Sequence, residues 1–412
     1  MAQTGINIEL KDTTLSRRQP SVGNAALVYG IKVSSGSVSA KPTLITSLDS
    51  YTAWAASDAP DAKLLNNDPH LLGMVTQFYA KAGSGTYLWL ILTSGEKGDF
   101  VTTNAANIKR QIRLTLEANY DNRPRIIGWC SQANDDASGW VPTTTPTVVK
   151  AIETIQNAMF AEGIRFVNVY TSNVDGAQAS SASNITDLST YATPSVAYMP
   201  TTTLYNTTVD NQGNITAYTP IKDVGEAIGI LSAISVAESI GSHERAAVAQ
   251  KAFFNDPETV VSVTEVDPSI IDALGKGQYL FHRPYPTGIF YNDGATCNDP
   301  TKALSRLEFV RLGNAVCDDA QEFFSQILNT QAPVDAKGDL SRTYATQIEN
   351  NFYNLYCQPR ISQRQCSGIR VTVAAQDNNF VSTRTILVSI EILPSPNVDW
   401  VKVGVLYVSA LS

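Results

Sequence analysis

YLWLIL, residues 87–92, is an unbroken apolar run. A strand buried on both faces reads this way, because its two alternating sets of side chains must both be apolar. The stretches around it decide what kind of sheet it joins. NIKRQIRLTLEA (107–118) has helical spacing, and RIIGWC (125–130) is a second apolar run. TPTVVKAIETIQNAMFAEG (145–163) reads as a helix with a threonine start and Gly163 at its end, and IRFVNVY (164–170) as a third strand. Strands alternating with helices from about residue 25 to about 240 predict a three-layer α/β unit on a largely parallel sheet.

Beyond this unit the pattern changes. Residues 171–220 are rich in Ser, Thr and Asn and poor in charge. They read as exposed loops around one short strand, SVAYM (195–199), with a hairpin turn at Asp210–Gly213. VGEAIGILSAISVAESIG (224–241) is a small-residue helix. Residues 301–331 read as the longest helix, with Leu304, Leu307, Val310, Cys317, Phe324 and Leu328 on one stripe. QAPVDAKG breaks the chain, RTYATQIENNFYNLY (342–356) is helical again, and the remainder is strand: 369–375, 384–393 and 400–409. The expected organisation is an N-terminal arm over 1–20, an α/β domain over 21–275, a C-terminal domain of helices and a small sheet over 276–398, and a separate strand over 399–412.

Both ends carry period-two patterns. In GINIEL, Ile6, Ile8 and Leu10 alternate with polar residues, and in DWVKVGVLYVSALS Val401, Val403, Val405 and Tyr407 share one face. PSPN (394–397) sets the last strand apart as a tether would. A strand needs partners for its backbone groups. Each of these either completes its own domain's sheet or pairs with another chain.

At 412 residues the chain exceeds the size at which a single core stops growing. Charged residues make up 17%, against about 25% typically, which suits extensive protein contact. A net charge of −8 without a basic block excludes a dedicated nucleic-acid binder. No stretch approaches the ~20 apolar residues of a membrane span, and MAQTGINIELKD lacks the features of a signal peptide. Five cysteines at irregular spacing form no CxxC pair, so neither a zinc nor a redox motif is expected.

Catalytic signatures are missing too. His70, His243 and His282 stand in no HExxH or triad-like setting. GSG (83–85) precedes a strand, GKG (275–277) lacks phosphate-loop spacing, and no GxSxG occurs. Asp135–Asp136 and Asp318–Asp319 are adjacent acids of the kind usually solvated. No catalytic residue, cofactor site or metal site is expected.

The chain resembles contractile tail sheath proteins of bacteriophages and related phage-tail-like injection systems. The likeness lies in GQYLFHRPYPTGIFYNDGATC (277–297), SRLEFVRLGNAVCDDAQEFFSQIL (305–328), GEAIGILSAISVAESIG (225–241) and the closing β segment (369–409). The stretch around Cys357 and Cys366 departs from it. The resemblance implies a subunit that polymerises with itself as a helical tube around an inner tail tube protein and meets baseplate and tail terminator proteins. It implies no nucleic acid, membrane insertion or cofactor. It places the protein in a virion tail, or in an injection particle assembled in the bacterial cytoplasm. It further implies that Ile6, Ile8, Leu10, Val401, Val403, Val405 and Tyr407 are inter-subunit strand contacts, donated to a neighbour's sheet. Lys302 and Arg306, four apart on the expected helix, could together face an acidic tube. The alternatives are an α/β enzyme with an unrecognised site, or another tail or baseplate component.

Overall fold

A computed structural model describes residues 23–395, apart from 34–36, 66–67, 96, 119–122, 133–134, 137–144, 172–173, 176–181, 210–214, 244–250, 257–258, 329 and 376–379. The chain enters through β1 (Ala25–Ile31) and β2 (Thr43–Ile45), followed by α1 (Leu48–Ala55), α2 (Pro60–Leu65) and α3 (Pro69–Ala82). Then come β3 (Leu88–Ser94), α4 (Asp99–Ala118), β4 (Ile126–Ser131), α5 (Thr145–Ala161) and β6 (Val167–Tyr170). β5 (Asp135–Asp136) and β7 (Val174–Asp175) form a two-residue parallel bridge beyond β4 and β6. β8 (Val196–Tyr198) completes a six-stranded sheet of order β2-β3-β1-β4-β6-β8, parallel throughout except for β2.

The apolar runs are explained by what covers the two faces of this sheet. Leu27 and Tyr29 of β1, with Leu88, Leu90 and Leu92 of β3, join a core with Met74 and Phe78 of α3. The alternate residues, Ala26, Val28, Trp89 and Ile91, join a second core with Ile108 and Ile112 of α4 and Ile152 of α5. A period-two strand covered on both sides has no polar position to offer. The three-layer α/β reading is therefore correct.

The Thr-rich stretch after β8 corrects the expectation of loops. β9 (Thr201–Val209) and β10 (Ile215–Lys222) pair antiparallel and, with β11 (Lys251–Asp256) and β12 (Thr259–Ser262), build a four-stranded sheet of order β10-β9-β11-β12. Threonine is β-branched and suits a pleated strand even where polarity imitates a loop. The turn expected at Asp210–Gly213 lies outside the described residues, although the strands flanking it do pair.

α6 (Val224–Ala233) is shorter than its small-residue pattern and lies against α3. A Cβ on Gly225 would stand 2.2 Å from the Met74 carbonyl oxygen, so the two backbones approach as only glycine permits. α7 (Pro268–Lys276) and the hairpin β13 (His282–Tyr285)–β14 (Gly288–Tyr291) follow. Leu280 and Tyr291 belong to the α3 side of the core, and Phe281 and Cys297 to the α4 side. The core thus runs across residue 276, where a domain boundary was expected.

α8 (Leu307–Ser325) starts later and ends earlier than its stripe implied. Residues 299–305 form turns instead, with Asp299 Oδ1 accepting from the Thr301 N–H at 2.9 Å and its hydroxyl at 2.7 Å. Leu304 and Leu328 accordingly lie outside the helix and are exposed. α9 (Arg342–Phe352), a π-helical turn (Tyr353–Cys357), α10 (Gln358–Ser362), β15 (Cys366–Val373), α11 (Phe380–Thr383) and β16 (Val388–Pro394) complete the description. A third core, from Leu312 and Val316 through Phe352 to Ile369 and Val373, holds this last part together.

Candidate functional site

The β15–β16 hairpin stands apart from the two larger sheets. It forms a two-stranded sheet with no third strand among the described residues. Its register pairs Ile369 with Ile392, Val371 with Ile390, and Val373 with Val388, which puts six apolar side chains on one face. The opposite face carries Arg370 against Glu391, 3.2 Å apart and both exposed. α9 and α10 pack on β15, burying Ile369 and Val373, and the Val373 N–H donates to Glu349 Oε1 at 2.7 Å. Val388, Ile390 and Ile392 of β16 are only half-buried, and Leu387 and Leu393 beside them are exposed. Two-stranded sheets are marginal in water, and an unpaired edge is a template for another strand.

Beneath the hairpin, Phe323 and Phe324 of α8 pack against Phe352 and Tyr356, with ring centroids 5.4–6.1 Å apart. α8 itself joins this base to the sheet body. Asp318 accepts from Arg123 at 2.7 Å, from Arg165 at 2.9 Å and from Arg125. Its neighbour Asp319 accepts from Arg360 Nε at 2.6 Å, on the side of α10. Burial raises the Asp319 carboxyl above its ordinary range, opposed by the Arg360 hydrogen bond. The adjacent acids are therefore counter-ions rather than solvated groups, because arginines distant in sequence converge on them. Two turns earlier, Arg311 donates to the carbonyls of Leu231, Ile234 and Ser235 at 2.8–3.1 Å, capping the C-terminal end of α6.

The sequence-predicted residues fall as follows. Ile6, Ile8, Leu10, Val401, Val403, Val405 and Tyr407 lie outside the described residues. Lys302 is exposed in the turn before α8, whereas Arg306 is the residue that begins the helix and pairs with Asp293 at 3.4 Å. They do not share a helical face, which corrects the geometric basis for pairing them.

One polar centre has no local signature in the sequence. Asp223 and Glu226, in the first turn of α6, enclose His282 of β13, and all three are buried. His282 Nε2 is 3.2 Å from Glu226 Oε2, and Nδ1 is 3.6 Å from Asp223 Oδ2 and 2.9 Å from the Thr201 hydroxyl. An acidic i, i+3 pair at a helix start gives no hint of a histidine some sixty residues on. Elsewhere, burial pushes the Cys130 and Cys297 thiols up to about 12 and Cys357 up to about 11, which suits packing rather than nucleophilic work.

The carboxyl ends of the parallel strands are where such sheets most often bind ligands. Counting only the parallel strands, the order β3-β1-β4-β6-β8 is the 2-1-3-4-5 order, with its switch point between β1 and β4. That point is occupied by the chain itself. The Gln132 amide donates to Asp68 at 3.1 Å, the Lys32 N–H donates to Gln132 Oε1 at 3.0 Å, and Lys222 Nζ donates to the Ser131 carbonyl at 2.7 Å.

Comparison of the sequence with protein-family models and with curated proteins gives no match. Solved structures match over nearly the whole chain. A chain of the sheath complex of an extracellular contractile injection system, PVC, in its contracted state has a TM-score of 0.58 at 14% identity, covering 98% of both chains. A chain of the anti-feeding prophage baseplate gives 0.57 at 12%, covering 99% of both. The anti-feeding prophage helical sheath in its contracted state gives 0.56 at 12%, covering 98% of this chain and 99% of the other. At these identities the likeness is one of fold, and the chain has the fold found in contractile sheath assemblies.

Proposed function

We propose that the protein is the structural subunit of a contractile sheath, a helical homopolymer built around an inner tube and docked on a baseplate. The observation that carries this reading is the extent of the fold match. It spans 98–99% of this chain and 98–99% of each matched chain, so body and C-terminal unit are both included. The half-covered β15–β16 hairpin supports it physically. In the proposed assembly the strands around Ile6, Ile8 and Leu10, and around Val401, Val403, Val405 and Tyr407, come from neighbouring subunits and extend this hairpin by main-chain hydrogen bonds. A donor strand in one place and an acceptor edge in another form a heterologous contact, which propagates as a helix instead of closing as a dimer. An acidic inner tube would meet the exposed Lys302, since Arg306 is engaged by Asp293. Contraction in this scheme is rigid-body rotation of subunits whose shared strands keep the lattice connected, and it needs no catalytic group. Within it the protein belongs to a virion tail or an injection particle, is made in the bacterial cytoplasm, and meets a tail terminator at the far end of the tube. The self-filled switch point weighs against the α/β enzyme alternative.

Deleting 399–412 tests the proposal. A strand that belonged to its own subunit would remove four apolar side chains from a core, each worth roughly 1.5–3 kcal/mol. A donated strand leaves the isolated subunit's melting nearly unchanged and abolishes tubes seen by electron microscopy. A truncated subunit that unfolds, or that still forms normal tubes, overturns the strand-donor reading.

A further inference from the structure

We infer that the two ends through which this chain would join its neighbours are anchored unequally. The N-terminal arm is rooted in the centre of the body and holds under tension, whereas the C-terminal tether yields first, by unzipping the β15–β16 hairpin. Arm and tether take their meaning from the proposed assembly, but the order in which they give way follows from the subunit's own topology.

The chain before Gly23 leads directly into β1. That strand lies between β3 and β4, in parallel register from Ala25–Leu88 to Ile31–Ser94 on one side and from Ala25–Ile126 to Gly30–Ser131 on the other. Helices close both faces. Leu27 and Tyr29 share a core with Met74 and Phe78 of α3, and Ala26 and Val28 share another with Ile108 of α4 and Ile152 of α5. Enclosed on both edges and both faces, β1 can be drawn out only along its own axis. The hydrogen bonds of both ladders run across that axis, so a pull on the arm strains them together, in shear.

The root of the arm adds to this hold. Gly23 is buried, and a Cβ there would stand 2.0 Å from the Ser232 carbonyl oxygen near the end of α6. The backbone passes α6 at a distance that only glycine allows. Next to it, the Asn24 carbonyl accepts the Arg125 N–H at 2.8 Å, just ahead of β4. Both contacts are backed by α8, because Arg311 donates to the carbonyls at the end of α6 and Asp318 pairs with Arg125.

The other end is held differently. Force along the tether enters β16 at Pro394 and leaves β15 at Cys366, where the chain returns to α10 and the body. Pro394 and Cys366 are register partners, so both points lie at the same open end of the hairpin. An antiparallel pair pulled apart there opens one rung at a time, from Cys366–Pro394 towards Val373–Val388. Among the described residues no third strand shares the strain, and the side chains of β16 are at most half-buried. Sequential local opening of this kind requires far less than opening a whole core at once.

Optical-tweezers pulling on the full chain, with handles at its two termini, measures the order directly. The first event should occur at low force and free a length of chain confined to the part C-terminal to α8, and the body should follow at distinctly higher force. Ile390→Ala should lower the force of the first event and leave the second unchanged. Trp129→Ala, beside β1 on β4, should do the reverse, and Ile127→Val serves on the same strand if that variant does not fold. A first event that frees the length of the body, a single event that releases the whole chain, or an Ile390→Ala trace with its first event unchanged each overturns the inference. The order of opening is read on isolated subunits, so its failure is distinct from a failure to form tubes, which bears on the proposed function alone.

Discussion

Every residue of β1 is buried, whereas β16 alternates between half-buried and exposed along its whole length. Part of the difference is in the sequence, since β16 interleaves Ser389 and Glu391 with Val388, Ile390 and Ile392, and part lies in what the rest of the chain provides. β1 has β3 and β4 as neighbours and helices on both faces. Among the described residues β16 has one strand neighbour, β15, and the helices beneath the hairpin pack mainly on β15. The body is completed within the subunit, and in the proposed assembly the hairpin is the part that a neighbour's strand completes. Burial completed internally supplies stability to a monomer, while burial withheld is available to an assembly.

Substitutions in the two regions should separate these roles. The largest loss is expected in the body: Trp129→Ala removes a fully buried side chain whose indole N–H donates to Asn168 at 2.8 Å, and should cost about 3–5 kcal/mol in chemical denaturation of the isolated subunit. Asp318→Asn acts at the joint. Removing the carboxylate leaves Arg123, Arg125 and Arg165 converging without their shared counter-ion, for a loss of about 2–3 kcal/mol given that Arg125 is partly solvated. Unfolding should then become biphasic, with the C-terminal unit melting before the body. Ile390→Ala should do least to the monomer, about 1 kcal/mol or less, because the side chain is only half-buried. In the assembly it should shorten or abolish tubes in electron micrographs. A loss in Ile390→Ala monomers as large as in Trp129→Ala would erase the proposed distinction.

What the sequence revealed follows the same division. The runs at 87–92, 125–130 and 164–170 became β3, β4 and β6, and the helix over 145–163 became α5, because strands covered on both faces and amphipathic helices leave periodic signals. Residues 201–222 were misread because threonine is polar by composition and extended by shape. The Asp318 cluster and the His282 centre were not legible. Each joins residues far apart in the chain, and no local spacing records such a meeting. The apolar stripe through Leu304 continues in the sequence across a turn begun by Asp299, so spacing alone puts Lys302 and Arg306 on one helical face that the chain does not form.

Asp318 and Asp319 have a mechanical consequence. Successive residues on an α-helix point about 100° apart, so two adjacent carboxylates on α8 clamp two different bodies: the arginines beside the sheet, and Arg360 beneath the hairpin. Twisting one body against the other about the axis of α8 would have to tear one clamp while the other held. Torque applied at the hairpin would therefore pass through α8 to the sheet with little slack. Such a subunit behaves as a rigid crank, and compliance in an assembly would have to reside in segments running between subunits.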